Sequence, residues 1–187
     1  MRLLLNIPHY SQHLNVSEEW RNRSCAVACA KMVLDGGRKR SPFLNDLILE
    51  CKDTYGYDAN RGWAHAAIVG ILEKYGISSV RKEYKSDELF ETGVHEIIVA
   101  LDSGNPVMVS AIKNWEVEKK FHMVLFVGYE KEGDKIDGFY YHDPDVEGGN
   151  DPASTEGYGV TKGENLFVSF DRFKKYWRRM AIFPRYL

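Results

Sequence analysis

From Cys25 to Leu34 the chain reads Cys-Ala-Val-Ala-Cys-Ala-Lys-Met-Val-Leu, small or apolar on almost every side of a helical wheel. Ser24 before it is a residue type that caps helices, and Gly36-Gly37 after it ends the run. A helix that is apolar all round has to be buried. This segment therefore predicts a central helix on which the rest of the molecule packs. A length of 187 residues suits one such core and is short for two, so residues 1–187 are expected to form one domain.

Two further helices are expected over 42–52 and 63–75, the second from Trp63, Ala67, Ile71 and Tyr75 at helical spacing before Gly76, and a fourth over 94–102. Beyond Gly104 the pattern changes to β-branched and aromatic residues at 106–112, 121–129 and 138–142, bounded by turn formers. A last helix over 171–179 and a short strand over 181–183 complete the reading. Helices first and antiparallel strands second make the fold class α+β, an N-terminal helical layer packed on a C-terminal antiparallel sheet. Residues 143–165, with five glycines (148, 149, 157, 159 and 163), read as a long loop whose position suits a lid.

A net charge of −2 gives no broad attraction to nucleic acid or to an anionic membrane. The basic stretch from Arg172 to Arg185 reads as a solvated helix face. Leu3-Leu4-Leu5 is far too short for a secretory signal or a membrane span, and three cysteines cannot all pair. A soluble protein of a reducing, cytoplasmic compartment is expected. Cys25 and Cys29 lack the further ligands that a zinc site needs, so neither a metal nor another cofactor is expected.

Cys25 opens the buried helix, where free backbone N–H groups and the positive end of the dipole favour a thiolate, the reactive form of the side chain. Cys29 and Cys51 lie among apolar neighbours away from helix starts and read as structural. A thiol nucleophile needs a base, and histidine suits that near neutrality. His122 begins the strongest strand, Phe121 to Tyr129, where an imidazole among apolar residues needs a partner or a task. Asp143 ends the next strand, and a hairpin would bring it beside His122, there to accept the Nδ1–H and hold the tautomer. His65, at the start of the third helix, is a candidate for lining a substrate cleft, with Trp63 beside it. His9, His13, His95 and His142 read as structural or solvated.

Four stretches carry a family resemblance in order: Ile7 to Gln12, Ser24 to Leu34, His122 to Tyr129, and Tyr141-His142-Asp143-Pro144. With Gly62-Trp63-Ala64-His65 and Ser169 to Ile182, the chain resembles the bacteriocin-processing-peptidase-like group of papain-like cysteine peptidases, family C thirty-nine. The resemblance implies the papain-like fold, a peptide or protein substrate and no cofactor. By position it makes Cys25 the nucleophile, His122 the base, Asp143 the orienting acid and Gln12 the side-chain donor to the oxyanion beside the Cys25 N–H. Where members usually carry Gly-Pro after the cysteine, this sequence has Ala26-Val27. The expected function is hydrolysis of a peptide or amide bond through a thioester. The alternatives are an acyltransferase or transglutaminase-type reaction on the same residues, and a catalytically silent peptide-binding module.

Overall fold

The computed structural model describes residues 1–59, 62–117, 120–146 and 162–186, so the glycine-rich segment expected as a lid lies mostly outside the described residues. The elements run β1 (Arg2–Leu4), α1 (Cys25–Gly36), α2 (Leu44–Tyr55), β2 (Tyr57–Asp58), β3 (Gly62–Trp63), α3 (His65–Lys74), β4 (Ser78–Glu83) and α4 (Glu88–Asp102). They continue with β5 (Val107–Ile112), a single 3-10 turn (Lys113–Trp115), β6 (Phe121–Glu132), β7 (Lys135–His142), β8 (Leu166–Ser169), α5 (Phe170–Tyr176) and β9 (Trp177–Arg185).

The apolar run does form the central helix, and every residue of α1 from Ala26 to Leu34 is buried. Lys31 is among them, and its ammonium is satisfied by Asp35 Oδ2 at 3.1 Å, Ser41 Oγ at 3.0 Å and the Pro42 carbonyl at 3.0 Å. A buried charge is tolerable only when its donors are met in this way.

The large sheet has the order β4-β9-β5-β6-β7-β8, with β1 also pairing to β6. Its pairs are antiparallel. Side chains alternate across a strand, and β6 uses both faces. Met123, Leu125 and Val127 join the core built with α1, α2 and α3, whereas Val124 and Phe126 join a second core. That second core contains Phe90, Val94, Ile97 and Leu101 of α4 and Phe173 of α5. The expected helical layer is therefore α1 to α3 only, and α4 and α5 cover the opposite face.

Several boundaries differ from the sequence expectation, two of them for a reason visible in the packing. Helix α4 begins at Glu88, ahead of the expected start at 94, because Gly93 is a packing residue and not a break: a Cβ there would lie 2.5 Å from the Trp177 ring. Helix α5 stops at Tyr176 because Trp177 turns inward against Phe173, their rings stacked at 4.9 Å, and starts β9. Among the described residues no helix is long and apolar enough to cross a membrane.

Candidate active site

Cys25 is the first residue of α1 and is half-buried, while the residues after it are fully buried. Ser24 does not cap the helix with its side chain, as its residue type suggested; its Oγ–H donates to the Gln12 carbonyl at 3.5 Å. The first-turn N–H groups are left for the sulfur instead, and the Cys25 thiol takes hydrogen bonds from the backbone N–H of Ala26 and from that of Met123 on β6. It is also hydrogen-bonded to His122.

His122 sits at the start of β6 and is buried, with Nε2 2.7 Å from Asp143 Oδ1. The β6–β7 hairpin produces this: Leu125 pairs with His142, so Asp143 arrives beside the start of β6. The sequence reading put Asp143 on Nδ1, and the structure corrects that. Asp143 takes Nε2, which leaves Nδ1 as the ring nitrogen for the sulfur. Asp143 Oδ1 also accepts the Asp145 N–H at 2.9 Å, an Asx turn across Pro144.

Electrostatics set Cys25 apart from the other cysteines. Burial pushes its thiol up, but the hydrogen bond and charge of His122, with the N–H groups of Met123 and Ala26, outweigh burial and bring it below its ordinary value. Cys29, whose thiol donates to the Met123 carbonyl at 3.5 Å, has no such cation and is pushed well up by burial. Cys51 is pushed up to about 12 for the same reason. Burial alone would lower His122, yet its bonds to Asp143 and Cys25 raise it; burial would raise Asp143, yet His122 and the Asp145 N–H lower it. The arrangement favours thiolate, imidazolium and carboxylate together, a sulfur that gives up its proton more readily than the other cysteines do.

Gln12 is buried nearby. Its Nε2 donates to the Arg21 carbonyl and to Asp145 Oδ1, both at 2.8 Å, and its Oε1 has no partner among the described residues. Both amide protons are thus engaged. Asp145 was not singled out by sequence, although Asp143-Pro144-Asp145 carries the Asx-turn signal that would have found it. It also holds His13 Nε2 at 3.0 Å and pairs with Lys113. Trp63 is buried against Trp20 and Tyr57, and its indole N–H donates to the Arg23 carbonyl at 2.6 Å. It braces the loop entering α1. His65 is half-buried at the start of α3, its Nδ1 accepting from Arg81 Nε at 3.3 Å.

Residues 4–181 match the model of the Peptidase_C39 like family. The chain belongs to that family. Solved structures with the same fold include a candidate C39-like peptidase from Bacillus anthracis, 16% identical, with a TM-score of 0.67 over 99% of this chain and 98% of that one. A double glycine motif protease from an AMS/PCAT transporter, in complex with the leader peptide, is 15% identical, with a TM-score of 0.59 over 98% of this chain and 94% of that one. The peptidase domain of Streptococcus ComA is 17% identical, with a TM-score of 0.57 over 89% and 93%. A comparison with curated protein sequences finds no match.

In this C39-like domain two histidines outside the thiol-imidazole pair support Asp143 from behind. His9 Nε2 donates to the Asp143 carbonyl at 2.8 Å, and His142 Nε2 donates to the Ile7 carbonyl at 2.9 Å while its Nδ1 accepts the Asn165 N–H at 3.1 Å. Gly163 closes the far side: its carbonyl accepts the Asp143 N–H at 2.8 Å, and a Cβ would lie 2.5 Å from the Asp143 carbonyl oxygen. Burial is the main cause that pushes His142 down to about 4, against an unfolded value of 6.5. The unfolded chain then binds the extra proton first. This contribution to stability is complete above pH 6.5 and is lost as pH falls toward 4, by about 3 kcal/mol. NMR titration of the His142 ring is expected to show a midpoint near 4, with urea unfolding weakening over that range. A ring titrating at 6.5 would contradict this packing.

Proposed function

We propose that the chain is a cysteine peptidase that cleaves a peptide or amide bond through a thioester, with Cys25 as nucleophile, His122 as base and Asp143 as orienting acid. The observation that carries the reading is the thiol of Cys25 hydrogen-bonded to an imidazole whose Nε2 is held 2.7 Å from Asp143. The thiolate adds to the carbonyl carbon, and the imidazolium gives its proton to the leaving amine. His122, now neutral, takes a proton from water, which attacks the thioester and releases the acid and the thiol.

The Cys25 N–H at the helix start is one donor to the oxyanion. Gln12 supplies the second when the substrate oxygen replaces Asp145 Oδ1 as acceptor of one amide proton, since that bond occupies the donor at rest. A structural relative was solved in complex with a leader peptide, and we extend a peptide substrate to this chain from it. The engaged Gln12 amide is also what favours the second reading, a cleft that binds peptide without cutting it.

Digestion of a random acetylated octapeptide pool, followed by mass spectrometry, separates the readings. Wild type is expected to generate new termini and Cys25→Ala none. Adding a primary amine distinguishes hydrolysis from acyl transfer by the conjugates formed. Peptide bound intact by both proteins supports the silent module.

A further inference from the structure

Strand β9 departs from regular pairing beside the site. Ser110 pairs with Met180 and Ala111 with Trp177, so Arg178 and Arg179 lie in a bulge between them. Arg179 adopts φ 58, a left-handed conformation that costs a non-glycine residue energy. Bulges of this kind re-aim side chains and gather at active sites. Here the two arginines part company. Arg179 lies over Phe90 in the α4 face and pairs with Asp87 Oδ1 at 3.1 Å. Arg178 goes to the face of α1 and α3, donating from NH1 to the buried Ser110 Oγ at 3.0 Å and lying 3.3 Å over the ring of Phe121.

Phe121 is 62% exposed and directly precedes His122. His122, Ala111 and Trp177 stand in register on adjacent strands β6, β5 and β9. Two strand spacings put the Trp177 backbone roughly 10 Å from that of His122. Arg178 also acts on the charge of His65 at the start of α3, on the same side. Among the described residues no carboxylate lies within ion-pair distance of Arg178, whereas Arg81 has Glu83, Arg172 has Glu116 and Arg179 has Asp87. A half-buried guanidinium with one donor spent and one face on an exposed aromatic ring keeps its remaining N–H groups for a planar anion.

We propose that Arg178 is a specificity residue that receives a carboxylate of the substrate, flanked by Phe121 and His65. This rests on the peptidase reading for the substrate being a peptide. The guanidinium lies against Phe121, the residue before His122, so the carboxylate belongs within a few residues of the bond cut. It comes from an Asp or Glu side chain or from the free C-terminus.

Profiling cleavage of random octapeptides, as free acids and as C-terminal amides, by wild type and Arg178→Gln tests this. Wild type is expected to prefer acidic over amide residues at one fixed position by about tenfold, and Arg178→Gln to bring that ratio to about one. A preference for free acids over C-terminal amides identifies the terminus as the source. The ratio is internal and survives a general loss of activity; an unchanged ratio overturns the proposal. A second readout does not require turnover. In Cys25→Ala, modification of Arg178 by phenylglyoxal is expected to be slowed by acetyl-Ala-Glu-Ala-Glu-Ala or its amide and not by the Gln counterpart amide. Equal modification overturns the proposal. Protection without any cleavage by wild type keeps it and removes the peptidase reading.

Discussion

Replacement of His122 by Ala is expected to lower kcat/KM on any cleaved peptide by about 10⁴-fold or more, the scale seen when one member of a nucleophile-base unit is removed. The reason lies in what surrounds the sulfur. Burial by itself pushes the Cys25 thiol up, and His122 is the largest of the groups that bring it down. Without the imidazole, Cys25 has only the N–H groups of Met123 and Ala26 and moves toward the condition of Cys29, whose thiol is held protonated by the same core. The variant also loses the proton donor to the leaving amine, so raising the pH does not restore the rate. Recovery of most activity at high pH would mean that His122 only tunes the thiol and carries no proton in the reaction.

Replacement of Asp143 by Ala is expected to cost about 3–5 kcal/mol of stability as well as activity, because it strips a buried cation of its partner. Four structural bonds meet at this residue: Oδ1 takes His122 Nε2 and the Asp145 N–H, the backbone carbonyl takes His9, and the backbone N–H donates to the Gly163 carbonyl. The substitution leaves the first two donors without their acceptor. Asp143→Asn separates geometry from charge, since its amide oxygen still accepts both N–H groups. It is expected to keep most of the stability and to move the alkaline limit of activity to lower pH. The sign follows from the charges: the carboxylate raises the His122 pKa, so a neutral amide lowers it and the imidazolium is lost sooner as pH rises. Equal stability of the Ala variant and wild type by urea unfolding would show that the pair is not the anchor described here.

Much of this site is local in the sequence. The all-round apolar run fixes α1 and places Cys25 at its first turn, and the β pattern after Gly104, ending at Asp143-Pro144, fixes the hairpin that brings His122 and Asp143 together. What escaped the reading depends on tertiary contact. Strand β4, Ser-Ser-Val-Arg-Lys-Glu, has no clear alternation and becomes a strand by pairing with β9. Which ring nitrogen faces Asp143 depends on how His122 is rotated by its neighbours. The packing of Trp63 against Trp20 and Tyr57 joins residues far apart in the chain, which no local pattern announces. The basic pattern continues at helical spacing through Arg178, yet the chain turns into β9 at Trp177, and only that turn takes Arg178 off a solvated helix face.

The coupling of one thiol to His122 is the central claim, and iodoacetamide alkylation across a pH series, read cysteine by cysteine by mass spectrometry, tests it most directly. Cys25 is expected to react with a midpoint below the ordinary thiol value of 9.0, while Cys29 and Cys51 stay unmodified in the folded protein. A Cys25 that titrates at or above 9.0, or that reacts no faster than Cys29, would contradict it.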